Sequence, residues 1–190
     1  MIRLYAAAVE FQEFLQSQGW RFCIIGAMTL ARWGEPRATR DVDVSLFAEL
    51  GTEEDYIDAL LQRFSSRVPD ARSFALTSRV LLLEGSNQIP VDVLLASFPI
   101  EEGIIDRATS FEFQEGVELV TASAEDVFVL KSFAGRPQDW IDAESIAVRQ
   151  GTALNWDFIR EQLAMLGELV ADSEMMTRVE EIRRRASADS

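Results

Sequence analysis

Apolar residues at Leu4, Ala8, Phe11 and Leu15 recur every three or four positions, so residues 3–18 are predicted as an amphipathic helix closed at Gly19. The period then shortens. Arg21-Phe-Cys-Ile-Ile25 is a brief apolar run, β-branched at its end, and reads as a buried strand. Gly26-Ala27 follows as a tight turn, and Met28, Leu30 and Ala31 fit a short helix ended by Gly34 and Pro36. A helix is expected over 52–66, opened by the capping box Thr52-Glu-Glu-Asp55. The apolar runs Arg79–Glu84 and Gln88–Leu95, separated by Gly85-Ser86-Asn87, predict a hairpin. A helix over Ile100–Thr109 and a small hairpin over Phe111–Val120 about Gly116 come next. From Ala124 the pattern is helical only, over 124–134, 138–149, 155–167 and 173–186. The expected organisation is an α/β (α+β) core over residues 1–121 and a helical part over 122–190 packed on it, with a functional cleft between them.

Within the core, Asp41-Val-Asp-Val44 reads as a strand, so Asp41 and Asp43 share one face and the valines the other. A strand rise of about 3.3 Å per residue sets the two aspartates roughly 6 to 7 Å apart at Cα, within reach of one or two divalent cations. Mg²⁺ suits them, being a hard ion held by one or two carboxylates together with substrate phosphates. Without a cation the pair repels and at least one pKa rises. The plainer alternative is a strand with one solvated face. Upstream, the first turn after Gly26 presents backbone N–H groups suited to a phosphate, and Arg37 and Arg40 lie on the loop that returns to the acidic strand. Asp92, inside the apolar run Pro90-Val-Asp-Val-Leu94, needs a partner if buried, and a cation shared with Asp41 and Asp43 supplies one. Alternatively Asp92 points to solvent from an edge strand, as Pro90 suggests.

These residues resemble the nucleotidyltransferase superfamily related to DNA polymerase beta, whose signature is a Gly-Gly or Gly-Ser turn after a strand, an Asp-x-Asp on the next strand and a third Asp on a later one. The longer stretch Trp33-Gly-Glu-Pro-Arg-Ala-Thr-Arg-Asp-Val-Asp43 looks like the branch containing the AbiEii-type toxins of bacterial abortive-infection and toxin-antitoxin systems. The resemblance implies a small mixed sheet flanked by helices and transfer of a nucleoside monophosphate from an NTP to a hydroxyl. It makes Asp41, Asp43 and Asp92 ligands of two Mg²⁺ ions. It puts Gly26, Ala27, Arg37, Thr39, Arg40, Arg136 and Asp139 around the nucleotide. Ser123-Ala-Glu-Asp126 is a capping box opening the helix that carries Lys131, and in this branch a lysine so placed contacts the triphosphate. Arg136, Asp139 and Asp142 match the Arg-x-x-Asp-x-x-Asp that follows it. Without the resemblance, Lys131 is equally a cation near a helix C-terminus, stabilised by the dipole. The pattern departs at Ala27, where the superfamily has Gly or Ser and a serine hydroxyl contact is lost. It departs again at Thr39, where aminoglycoside-modifying relatives carry His, which argues against an antibiotic acceptor. The acceptor is left open among a tRNA end, a protein hydroxyl and a small molecule, the first two being favoured, and the implied partner is a cognate toxin or antitoxin. The alternative is a catalytically inactive nucleotide-binding or protein-interaction module of such a pair.

Composition narrows the chemistry. With 190 residues and 48% hydrophobic content the chain can bury a substantial core. No histidine is present, so carboxylates are left to do proton and metal chemistry. The single Cys23 excludes an internal disulfide and a cysteine-rich zinc site. A net charge of −14 argues against broad nucleic-acid binding. A local basic cluster of Arg32, Arg37, Arg40, Arg79, Lys131 and Arg136 is expected at the cleft, and Lys131 is the chain's only lysine. With neither an apolar stretch near 18 residues nor a basic, signal-like N-terminus, a cytoplasmic protein that does not engage membranes is expected.

Overall fold

The structure, a computed structural model, describes residues 2–170 and 173–188. They form two compact units, one of residues up to Met28 together with Ala38–Ala122, the other of Thr29–Arg37 together with the chain from Ser123 onward. Among the described residues no helix is long and apolar enough to cross a membrane.

The first unit is built on seven strands: β1 (Phe22–Ile25), β2 (Val42–Phe47), β3 (Ser65–Ser66), β4 (Val80–Glu84), β5 (Pro90–Ala96), β6 (Thr109–Gln114) and β7 (Val117–Thr121). They lie in the order β3-β4-β5-β2-β1-β7-β6. The sheet is mixed, with β2 parallel to β5 and β1 parallel to β7, the other pairs being antiparallel. Strand alternation sends Val42, Val44 and Leu46, Leu81 and Leu83, and Val91, Val93 and Leu95 into one buried cluster. Onto it pack Leu4, Ala8, Phe11 and Leu15 of α1 (Ile2–Ser17), Ile57 and Leu60 of α3 (Glu53–Arg63), and Ala71 and Ala75 of α4 (Ala71–Ser78). Each fully buried Leu, Ile or Phe contributes about 1.5–3 kcal/mol. The same alternation leaves Asp43 and Asp92 on the opposite side of their strands, only half-buried. A further helix, α5 (Pro99–Asp106), lies against β1 and β2.

Several local expectations need correction. The helix predicted over 52–66 stops at Arg63, because Phe64 turns into the core in an extended conformation and Ser65–Ser66 pair with β4. Thr52 does not cap through its side chain: its Oγ1 donates to Glu49 O, and Glu53 accepts from the Gly51 amide. Helix α4 carries no clear signal in the sequence pattern, since exposed Phe74 and Leu76 blur its narrow stripe of Ala71 and Ala75. The helix expected to Thr109 ends at Asp106, and Thr109 starts β6. Strand β5 is interior rather than at an edge, with Pro90 tolerated because it is the first strand residue. Arg79 is spent within this unit, donating to Leu95 O and pairing with Glu53 at 2.7 Å, so it is unavailable for the basic cluster.

The second unit holds α2 (Leu30–Trp33), α6 (Ala124–Ala134), α7 (Pro137–Gln150), α8 (Trp156–Val170) and α9 (Ser173–Ala188). Ser123 caps α6 by accepting from the Asp126 amide at 3.1 Å. The short stretch 29–37 is bound to α7: Arg149 donates to Gly34 O at 2.6 Å, Gln150 to Trp33 O at 2.8 Å, and the Glu35 amide to Ser145 Oγ at 3.1 Å. Gly34 permits this closeness, since a Cβ there would lie 2.6 Å from Ser145 Oγ.

Candidate active site

The acidic residues meet because of strand register. In the antiparallel pair β1–β2, Ile25 lies opposite Asp43; in the parallel pair β2–β5, Asp43 lies beside Asp92. The Gly26 turn therefore leaves β1 next to two neighbouring carboxylates. Asp41 immediately precedes β2 and completes the group. One oxygen from each of Asp41, Asp43 and Asp92 lies within 4.8 Å of the others, and all three residues are half-buried. Every donor is a carboxylate oxygen, the set a hard divalent ion such as Mg²⁺ accepts. Burial pushes the Asp92 carboxyl up; Arg67 pulls it down, and the Asp41 charge pushes it up further. Concentrating negative charge here carries a cost that a bound cation offsets.

Gly26 belongs to this geometry. It has φ +70°, opens a 3-10 turn over Gly26–Thr29, and a Cβ on it would stand 1.9 Å from Asp43 Oδ2. Only a residue without a side chain fits, so main chain lies directly against the carboxylate. Ala27, next in the turn, is buried. Thr39 Oγ1 donates to Asp41 Oδ1 at 2.6 Å, so its shown contact is with a carboxylate. Arg67, which the sequence pattern did not single out, donates through Nη2 to Asp92 Oδ1. Nothing in its local sequence signals this; the partner is 25 positions away.

The helical unit gathers a second charged cluster. Lys131 Nζ lies 3.0 Å from Asp139 Oδ1 and 2.9 Å from Asp142 Oδ2, with the lysine side chain 9% exposed and both aspartates 2%. Arg37 bonds Asp142 in bidentate fashion, Nε to Oδ1 and Nη2 to Oδ2, each at 2.9 Å. Gln138 adds a bond to Asp142 Oδ1 at 3.0 Å, and Arg136 pairs with Asp139. Burial pushes both carboxyls up, but the hydrogen bonds outweigh it: Arg136 and Lys131 hold Asp139 below the usual range, and Arg37, Lys131 and Gln138 do so for Asp142. Of the basic residues expected together, Arg37, Lys131 and Arg136 meet here. Arg32 instead lies over the Trp33 ring at 4.0 Å, and Arg40 is exposed.

Proteins of one class share this fold. An antigenic nucleotidyltransferase-like protein from Paracoccidioides brasiliensis superposes with a TM-score of 0.53 at 14% identity, over 93% of this chain and 91% of that one. The antibiotic-resistance factor ANT(2'')-Ia does so with 0.52 at 16% identity, over 88% and 92%. The lincosamide antibiotic adenylyltransferase LnuA, in its lincomycin-bound structure, gives 0.50 at 12%, over 73% and 92%. No protein of curated function matches the sequence significantly. Residues 5–181 match the family described as nucleotidyl transferase of unknown function (DUF2204), and the chain belongs to that family.

Proposed function

We propose that the protein is a metal-dependent nucleotidyltransferase moving a nucleoside monophosphate from an NTP to a hydroxyl acceptor. One observation carries this reading: Asp41, Asp43 and Asp92 converge beside a glycine turn whose main chain touches Asp43. Asp41, Asp43 and Asp92 would hold two Mg²⁺ ions, whose chemistry there would be Lewis-acid polarisation of the phosphates and a lowered pKa for the attacking hydroxyl. Asp41 and Asp43 hold the triphosphate side, with Thr39 fixing the Asp41 rotamer. Asp92 serves the acceptor side. The backbone of Gly26, where a side chain has no room, and that of Ala27 would cradle phosphate. The acceptor oxygen forms a bond to the α-phosphorus as the α–β bridging P–O bond breaks, the hydroxyl proton passes to solvent water, and the bridging oxygen departs with pyrophosphate. Arg40, exposed, is a helper for the departing charge, and within the helical unit Asp139 and Asp142 hold Lys131, Arg37 and Arg136 in one cluster, the side chains that the resemblance assigns to the triphosphate.

The finer identity is also a proposal. The stretch Trp33–Asp43, together with Lys131, Arg136, Asp139 and Asp142, supports the AbiEii-type branch. That branch suggests a cytoplasmic toxin-antitoxin or phage-defence component with a tRNA end or a protein hydroxyl as acceptor and a cognate partner protein. Because two proteins sharing the fold are an antibiotic-resistance factor and an antibiotic adenylyltransferase, small molecules belong among the acceptors tested. The test incubates purified protein with each α-labelled NTP, Mg²⁺ and total cell extract, then separates RNA, protein and small molecules. Label entering one fraction, and absent with Asp43→Asn, is expected. Mg²⁺-dependent NTP binding without transfer into any fraction would identify an inactive nucleotide-binding module instead.

A further inference from the structure

Asp92 has a charged partner outside the acidic triad. Arg67 directly follows the two-residue strand β3, and its backbone amide donates to Leu82 O at 3.0 Å. Its Nε donates to Leu83 O at 3.0 Å, and Nη2 donates to Asp92 Oδ1. Two main-chain anchors on β4 thus hold the guanidinium against the third carboxylate. The Arg67 and Asp92 side chains are 26% and 27% exposed, so their attraction is less screened than that of an open surface pair. Thr39 gives the group a hydrogen bond without charge; Arg67 gives it a full positive charge. Arg67 lowers the net negative charge at the three carboxylates by one unit.

We propose that Arg67 sets the cation affinity of the acidic site. It acts as a built-in counter-charge on Asp92, and an incoming divalent cation meets its repulsion and competes for the carboxylate it holds. The inference rests on the metal-binding reading above. It differs from a structural role in sign: a residue that merely stabilised the fold or aimed Asp92 would weaken cation binding when removed, whereas removing a counter-charge strengthens it.

The experiment titrates Mg²⁺, and separately Mn²⁺, without nucleotide into the full-length protein by calorimetry at fixed ionic strength. Parent, Arg67→Gln, Arg67→Lys, Asp43→Asn and Arg63→Gln are compared. Arg63→Gln controls for net charge, since Arg63 pairs with Glu10 on the surface. Deleting a unit charge a few ångströms from a divalent ion makes Arg67→Gln bind about tenfold tighter or more, while its cation-free Tm falls. Lysine keeps the charge but not the fork that reaches both Leu83 O and Asp92, so Arg67→Lys binds roughly threefold tighter than the parent. Arg63→Gln matches the parent. Equal or weaker binding in folded Arg67→Gln overturns the proposal; should that variant not fold by circular dichroism, equal or weaker binding in Arg67→Lys does so. A parent that binds neither ion overturns the metal reading and this inference together. Parent binding that Asp43→Asn removes and Arg67 substitution leaves unchanged overturns this inference alone.

Discussion

Replacing Gly26 by alanine perturbs backbone and site at once, and a second glycine separates the two effects. Gly26 has φ +70° and Gly116 has φ +75°, so alanine at either position pays about 1–2 kcal/mol for left-handed backbone. At Gly116 nothing lies within 4 Å of the new Cβ, and that cost is the whole effect. At Gly26 the Cβ would lie 1.9 Å from Asp43 Oδ2, 2.6 Å from Cγ and 2.9 Å from Cβ, so the carboxylate must move. Forcing Asp43 from its rotamer adds about 0.5–1.5 kcal/mol, for a total of about 1.5–3.5 kcal/mol against about 1–2 at Gly116. The larger consequence is functional, because Asp43 leaves the position in which it faces Asp41 and Asp92. Urea unfolding of both variants gives the stability difference, and Mg²⁺ titration with label transfer gives the functional one. Gly26→Ala is expected to lose cation binding and transfer, with Gly116→Ala indistinguishable from the parent in both. Equal stability losses with intact Mg²⁺ binding in Gly26→Ala would refute the reasoning that the glycine exists to admit the carboxylate.

Other outcomes follow from the same geometry. Asp43→Asn relieves like-charge repulsion, so its cation-free Tm should equal or exceed the parent's while transfer is lost; full transfer in this variant sinks the mechanism. Asp92→Asn should lose turnover yet retain much of the Mg²⁺-dependent NTP binding, and equal loss of binding in Asp92→Asn and Asp41→Asn by calorimetry rejects that division of roles. Lys131→Ala leaves two buried carboxylates short of a cation and should cost about 3 kcal/mol, with the NTP KM raised or kcat cut; a stability loss under 1 kcal/mol by chemical unfolding, or turnover within about twofold of the parent, contradicts those respective expectations. Asp139 and Asp142 titrate below their unfolded values, so their contribution is present above the ordinary carboxylate pKa and is lost as pH falls through the lowered folded values. The fall in Tm between about pH 5 and pH 2 should be shallower in Asp142→Asn than in the parent, and an unchanged slope counts against the network.

The site was legible in the sequence to the extent that it depends on strand periodicity. Asp41, Asp43 and the glycine turn sit on two neighbouring antiparallel strands and the stretch between them, where alternation and turn chemistry determine which side chains share a face. Asp92 was ambiguous because Pro90 marks both an edge strand and a strand start; only the neighbours β4 and β2 distinguish the two. Arg67 carried no local signal, since its role comes from two carbonyls of β4 and a carboxylate of β5. Arg79 misled for the opposite reason: an arginine beginning an apolar run resembles a site residue, yet Glu53 and Leu95 O take up its guanidinium. Thr52 shows the limit of motif spacing, because the hydroxyl finds Glu49 O before any helix amide.

The stretch Thr29–Arg37 bears on how the chain is made. It is synthesised between the strand that ends at Ile25 and the one that starts at Val42, yet the groups that bind it are Asp142, Ser145, Arg149 and Gln150. A nascent chain therefore emerges from the ribosome with the carbonyls of Trp33 and Gly34 and the guanidinium of Arg37 waiting on more than 100 later residues. A protein truncated near residue 122 retains every strand of the sheet but deprives the loop before Asp41 of these side chains for good.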